Sequence, residues 1–376
     1  MANKIFVATL AKQDEILATL KGQQPKRYGY RVKMGEPNPE SRVEYLFDAV
    51  GMTPASMNFT AGTFGYGSWA DLWFVRGNYP CMVKSNGVED YRLNPNDYTK
   101  KAANGAPSDV NNQNYAGNVM SAIPLVWVKR YQENGYQYVI FCESQYDEGY
   151  KAYAHTRADG TIASVAYHAS FKGSLVAGKL RSIAGVYPQH DTNAQQELDY
   201  AKANGSGWTV RTWSIHELVA DLLTLMSKTM NGQAAFGSGN ITGYNAADTV
   251  NYGMCQCGTL MGRGQFFGNA TTVEQMKVFH IEGFWGDRWD RLTGLIYLNG
   301  VWRAKMTPEG GGYNLTGDGY TPAGTGAMRP PDEFFEGWQK DVQQSEFGRL
   351  PCGQLTGSEA TYECDYHWTN NAITAV

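Results

Sequence analysis

The chain has 376 residues, 42% apolar and 18% charged, a balance that supports a buried core and excludes a largely disordered chain. Lys and Arg number 32 against 36 Asp and Glu, so no basic excess exists to neutralise a nucleic-acid backbone, and no polybasic run addresses an anionic membrane. The most apolar stretch, 218–226, is about half the ~20 residues a bilayer crossing needs, so no membrane insertion is expected.

At ~100–200 residues per domain the length suggests two or three domains. Residues 5–20 start apolar and place Ile16, Leu17 and Leu20 at helical spacing before Gly22. They do not read as a secretory signal, which needs a longer apolar region and a small-residue cleavage site. The polar, Pro-containing stretch 21–41 reads as a connector or extended arm. Residues 43–50 and 56–64 read as short strands or loops. Within 70–83, Leu72, Trp73, Phe74, Val75, Met82 and Val83 flank Gly77-Asn78, which suggests two short strands about a turn. The Asn-rich stretch 93–115 reads as a loop or domain boundary, placed at 108/109.

Beyond it, 123–128 is a strand candidate with Pro124 favouring its start or an edge position, and Glu133-Asn134-Gly135 is a hairpin signal leading into a return strand over 136–142. Asp159-Gly160 marks another turn. Two helices are well signalled. Thr192-Asn193-Ala194-Gln195 fits a capping box followed by Leu198 and Ala201, with Gly205 ending the helix. Ser214-Ile215-His216-Glu217 fits a second box. Ile215, Leu218, Val219, Leu222, Leu223 and Met226 then recur on one face, predicting a buried helix that runs to Met230 and is closed by Asn231-Gly232. The glycine-rich remainder holds strand candidates at 277–283, 292–298 and 301–306.

Chemistry-bearing motifs are sparse. The six histidines show no metal-binding helix spacing, and His216 falls on a helix flank. Cys255-Gln256-Cys257 lacks the further ligands of a zinc site, and the six cysteines read mostly as reduced, buried thiols. Ser238 lacks the strand-elbow-helix context of a nucleophile. No catalytic residue, metal or cofactor is assigned.

The aromatics carry more information: 24 Tyr, 10 Trp and 15 Phe accompany 43 Gly. The run 282–294 packs Phe284, Trp285 and Trp289 into a turn-rich stretch, which suits anchoring irregular loops onto a core. The runs 309–313 and 316–320 read as exposed loops tipped by Tyr313 and Tyr320. Tyr and Trp combine contact area with a polar handle at low rotamer cost, which suits recognition surfaces.

From about residue 110 to its end the chain resembles tailed-bacteriophage virion proteins with a C-type-lectin fold of the formylglycine-generating-enzyme type, some of them targets of diversity-generating retroelements. The resemblance rests on runs taken in order. These are 115–120 with Ile123-Pro124, then Asp147-Glu148-Gly149-Tyr150 and 181–185, then 203–208 and 233–240, and finally 283–294 and 357–368. It implies an α+β chain with an N-terminal virion-docking region, 1–108, and a C-type-lectin-like domain, 109–376. It further implies a tail-fibre or tail-tip adhesin binding a bacterial cell-surface receptor, glycan or protein, without covalent chemistry. Other virion proteins and copies of itself would be partners, a trimer fitting a fibre, on the virion after assembly in the host cytoplasm. The enzyme branch needs a reactive cysteine pair that Cys255 and Cys257 do not match in spacing, so its activity is not carried over. The expected contact residues are Tyr313, Tyr320, Trp338, Tyr366 and Trp368. The family's Gly/Trp/Asn-rich terminal region is missing after Trp368, so a longer gene product is expected. The alternative reading is a capsid-decoration or tail-assembly subunit.

Overall fold

The computed structural model describes residues 25–36, 38, 41–288, 290–325, 335–338, 342–351 and 366–369, with backbone alone at 325, 335–338, 351 and 366–369. In chain order, β1 (Arg27–Lys33) and β2 (Val43–Phe47) precede a small hairpin, β3 (Ser56–Asn58) and β4 (Thr63–Gly65). The one-turn helix Trp73–Arg76 leads to β5 (Tyr79–Lys84), β6 (Glu89–Asn94) and β7 (Asp97–Lys101). Next come β8 (Gly117–Pro124), β9 (Trp127–Glu133), β10 (Tyr136–Cys142) and β11 (Val165–Ala169). These strands form two antiparallel sheets, β2-β1-β10-β9 and β11-β8-β5-β6-β7, with β3 and β4 apart.

The connector expected over 21–41 is a central strand from Arg27 onward. Tyr28, Tyr30 and Val32 alternate into the core while Arg31 and Lys33 face outward, and this period of two outweighs the flanking Pro and Gly. The hairpin at Asn134-Gly135 is present as expected. Both residues take positive φ, 51° and 79°, the backbone whose twist matches the flanking strands. The two strands expected in 70–83 are a helical turn and one strand. The amide of Gly77 bonds back to Trp73 O at 2.8 Å, closing the turn before β5 begins.

The expected division at 108/109 falls between hydrogen-bonded neighbours. β1 pairs with β10 from Arg27↔Cys142 to Lys33↔Tyr136, and β5 pairs with β8 from Tyr79↔Ala122 to Lys84↔Gly117. The stretches 27–101 and 117–169 therefore build the same two sheets.

The helix Trp213–Ser227 packs beneath the first sheet. Ile215, Leu218, Val219, Leu222, Leu223 and Met226 share one apolar cluster with Tyr28, Tyr30, Val139 and Phe141. Each such side chain, once buried, contributes roughly 1.5–3 kcal/mol. Its cap is Thr212, whose Oγ1 accepts from Ile215 N at 3.3 Å, so the expected Ser214 cap lies inside the first turn. The helix stops at Ser227, short of Met230, with Lys228 left-handed at φ 56°. Asn231 opens a new helix rather than closing the old one, its side chain accepting from Ala234 N in the five-residue helix Gly232–Phe236. The helix Ala194–Lys202 carries a full capping box between Asn193 and Gln196, one residue later than expected.

The second half is irregular. β12 (Ser174–Val176) and β13 (Lys179–Arg181) form a hairpin, as do β14 (Lys277–Val278) and β15 (Ile281–Glu282). β16 (Leu295–Leu298), β17 (Val301–Ala304) and β18 (Thr321–Thr325) form a three-stranded sheet. β19 (Phe335–Trp338) pairs with β22 (Tyr366–Thr369), enclosing in sequence the hairpin of β20 (Val342–Ser345) and β21 (Gly348–Pro351). Residues 237–276 hold no helix or strand. The described chain is thus a strand-rich mixture with few helices.

Candidate functional site

A long irregular segment needs partners for its backbone, and here buried side chains supply them. Glu282 accepts from Gly258 N at 2.9 Å and Leu260 N at 3.1 Å. Across the β14–β15 pair, Lys277 donates to Leu260 O at 2.8 Å and lies over the Tyr98 ring at 4.1 Å. Burial pushes Glu282 up to about 7, against the pull of the Lys277 charge, and pushes Lys277 down to about 8. Asp287 accepts from Asn240 Nδ2 at 2.6 Å, from Cys255 N at 3.1 Å and from Gln275 Nε2. Gln265 donates to Val75 O and Asn78 Oδ1, both at 2.9 Å. Phe266 stacks on Phe64 at 4.4 Å. The segment is held at many points along its length.

Beside it opens a cleft of about 1140 Å³. Its walls come from β11, the loop 204–212, the stretch 282–291 and the turn before Tyr313. On the floor Asp290 lies between two cations, Lys172 Nζ at 2.8 Å and Arg211 Nη1 at 3.0 Å. The side chains of Lys172 and Arg211 are only 7% and 11% exposed, that of Asp290 28%. Burial pushes the Asp290 carboxyl up, but the two cations outweigh it and hold the group below the usual range. Arg211 also donates to Phe284 O at 3.2 Å and lies 4.9 Å over the Phe284 ring. His216 also stacks on that ring, and itself stacks against Trp213. Burial, reinforced by the Arg211 charge, lowers His216 and His168 to about 3, so both imidazoles are neutral at pH 7.

The wall adds Arg291, paired with Glu197, and Arg288. Arg288 Nε lies 3.3 Å from Met254 Sδ and its guanidinium 4.7 Å over Tyr252, with no carboxylate partner among the described residues. Two lining charges are committed to the scaffold. They are Glu282 and Arg181, whose guanidinium donates to Asn118 Oδ1 at 3.2 Å and Tyr115 O at 2.6 Å. Setting these aside, six Lys and Arg side chains line the cleft against two carboxylates. In a chain of net −4 that is a local reversal of sign.

Of the residues expected to make contacts, Tyr313 lies on the cleft lining and Tyr320 does not. Tyr313 and Tyr320 are buried, 8% and 6% exposed, which corrects the picture of exposed loop tips. Gly310, Gly311 and Gly312 all take positive φ and fold the chain back, so the following ring turns inward. Tyr320 donates to Asn314 O at 2.9 Å, closing its own loop. Burial pushes both hydroxyls above their ordinary value. Trp338 and Tyr366 face each other across the β19–β22 pair and Trp368 sits two residues on, but these three side chains lie outside the described residues. Cys255 and Cys257 are both pushed up to about 12, chiefly by burial, so neither is a thiolate at neutral pH. Cys352, Cys364 and the helix expected over 5–20 lie outside the described residues. Phe284 and Trp285 anchor the 282–294 run as expected, the latter donating to Gly237 O at 3.1 Å; Trp289 is not described.

Lys172, Arg211 and the adjacent Asp290 and Arg291 were not singled out by the sequence, because they are brought together from three distant positions. The one local signal was the alternation Asp287-Arg288 and Asp290-Arg291, which the aromatic content of the same run obscured. No three side chains of metal-ligating type cluster among the described residues, and no described helix is long and apolar enough to cross a membrane. No protein-family model matches the chain, and no curated protein matches it.

Proposed function

We propose that this chain is a tailed-bacteriophage virion protein, a tail-fibre or tail-tip adhesin, whose C-type-lectin-like scaffold recognises a bacterial surface ligand non-covalently. The observation that carries the reading is an open cleft whose charged lining is mostly cationic and is partly fixed by ion pairs. A binding loop held before its ligand arrives loses little conformational entropy on binding. Lys172 and Arg211, both on Asp290, and Arg291 on Glu197 are held in that way. The ordered motifs of the sequence support the phage assignment. Several copies in one particle, as in a trimeric fibre, would raise weak single-site binding to firm attachment.

Fluorescently labelled protein, incubated with cells of a susceptible host, tests this. The expected result is labelled cells and fewer plaques when the protein is added ahead of phage. Absence of cell labelling, together with immunogold detection of the chain over the capsid, would overturn the adhesin reading in favour of a decoration subunit.

A further inference from the structure

We propose that the cleft between β11, the loop 204–212 and the stretch 282–291 binds an acidic saccharide, one whose hydroxyls accompany a carboxylate or phosphate group. This deepens the adhesin reading by naming its ligand chemistry.

The charge comes first. Lys172 and Arg211 share a single carboxylate on the floor, so one positive charge there is left uncompensated. Both side chains are nearly buried, where screening by water and salt is weak. Arg288 adds a guanidinium whose Nη2 is buried without a hydrogen-bond partner. A buried donor of that kind is costly unless an acceptor arrives. Together these groups favour an anion.

The neutral groups narrow the class. His168 Nδ1 bonds to Ala169 O at 2.7 Å, and a carbonyl oxygen only accepts, so the proton sits on Nδ1. Its Nε2 is therefore a bare acceptor, buried and unpartnered. The Thr209 hydroxyl, also on the cleft wall, is unpartnered as well. An acceptor and a hydroxyl beside cations suit a ligand that offers O–H donors next to its acid group. Inorganic anions carry no such donors in a ring. Nucleic acid fits less well, because the chain as a whole is acidic, with net charge −4. The volume, about 1140 Å³, exceeds the ~300–1,000 Å³ of small-molecule pockets and leaves room for more than one sugar ring.

The test uses the full chain and isothermal titration calorimetry with three probes: trigalacturonic acid for carboxylate, glucose 1-phosphate for phosphate, and maltotriose as the neutral control. At least one acidic probe is expected to bind about tenfold more tightly than maltotriose or better. That binding should weaken as ionic strength rises from roughly 0.05 to roughly 0.3 M. The double variant Arg288→Gln/Arg291→Gln, checked for an unchanged unfolding midpoint, should lose about tenfold in affinity. Binding of neither acidic probe, equal binding of maltotriose, or full affinity in the folded double variant would overturn the proposal. Cell labelling without acidic-sugar binding sinks this inference alone. Acidic-sugar binding without cell labelling leaves the cleft chemistry standing and removes the adhesin reading.

Discussion

Asp221 is the most heavily committed side chain of the central helix, and its removal is the sharpest test of how this fold is held. The carboxylate is fully buried. Its Oδ1 accepts from the Tyr30 hydroxyl at 2.8 Å, its Oδ2 from Arg130 Nε at 2.6 Å, and Arg349 Nη2 stands 3.5 Å away. One side chain thus ties the helix to β1, β9 and β21. Asp221→Ala strands the Arg130 guanidinium, whose side chain is only 4% exposed, and orphans a buried hydroxyl. Removing one partner of a buried ion pair costs about 3–5 kcal/mol. Urea unfolding followed by tryptophan fluorescence should register a loss of that size. Tyr30→Phe should cost about 1.5–3 kcal/mol alone, as expected for a hydrogen bond to a charged group, and close to nothing in the Asp221→Ala background. Replacing the whole pair, Arg130→Met with Asp221→Leu, should cost less than Asp221→Ala by itself, because no charge is left unpaired. A loss below about 1 kcal/mol for Asp221→Ala, or an equal Tyr30→Phe cost in both backgrounds, would refute the reasoning.

Glu217, one turn before Asp221, gives a pH signature. It faces Asp221, Arg349 and Arg130, and burial pushes its carboxyl from 4.5 up to about 7. The folded value exceeds the unfolded one, so the fold keeps the proton longer and stability falls as pH rises from about 4.5 to 7. Glu217→Gln retains an acceptor for Arg349 N and removes that slope. Its unfolding free energy relative to wild type should rise by roughly 1–3 kcal/mol across this window, and a pH-independent difference would contradict it. The buried imidazoles act in the opposite sense. Burial lowers His155 to about 4 and His168 and His216 to about 3, below the ordinary 6.5. Their stability contribution is present above that ordinary value and is lost as pH falls toward the folded ones. Long-range ¹H–¹⁵N spectra should show these three rings unchanged between roughly pH 5 and 8; a titration midpoint in that range for any of them would count against their burial. Among the glycines, Gly253→Ala and Gly311→Ala both place a side chain at positive φ, but an added Cβ lies 1.8 Å from Gly243 O in the first and meets nothing in the second. Gly311→Ala should cost about 1–2 kcal/mol and Gly253→Ala clearly more, read from thermal midpoints; equal costs would mean that the loop 239–255 is looser than drawn.

Legibility followed the range of the interactions. The Asn134-Gly135 hairpin, the strand Tyr136–Cys142 and the apolar face from Ile215 to Met226 are local patterns, and they appear where their periodicity places them. The boundaries slipped where two residues compete for one role. Thr212 caps the helix in place of Ser214, and Asn193 takes the cap in place of Thr192. β1 was hidden because its alternation lies between Pro-rich flanks, and only its pairing with β2 and β10 makes it a central strand. Tyr313 and Tyr320 misled because glycine-rich runs signal a turn but not which way its ring points. The cleft charges were illegible for a different reason. Asp290 gains its meaning from Lys172 and Arg211, 118 residues from the first, and no short window contains such a pair.

The same distances explain why this chain buries so much charge. The stretch 237–276 has neither ladder nor helix to fix its path, and apolar packing alone tolerates many nearby arrangements. A carboxylate that must meet two particular backbone N–H groups tolerates few. Glu282 on Gly258 and Leu260, and Asp287 on Cys255, therefore select one path among many that bury similar area. Their contribution to stability is modest, since desolvation offsets much of the gain. Their contribution to position is larger, because Glu282, Arg288 and Asp290 belong to one stretch that lines the cleft. Glu282→Gln illustrates the distinction. It retains one acceptor and offers a donor where Glu282 had accepted from a second N–H, so one backbone group is left unsatisfied and Lys277 loses the nearby negative charge. The expected outcome is a folded protein in which amide hydrogen exchange at Gly258 and Leu260 speeds up by more than it does in the β1–β10 ladder. Uniform acceleration through both regions would show that the carboxylate stabilises the whole fold and does not select the path of the loop.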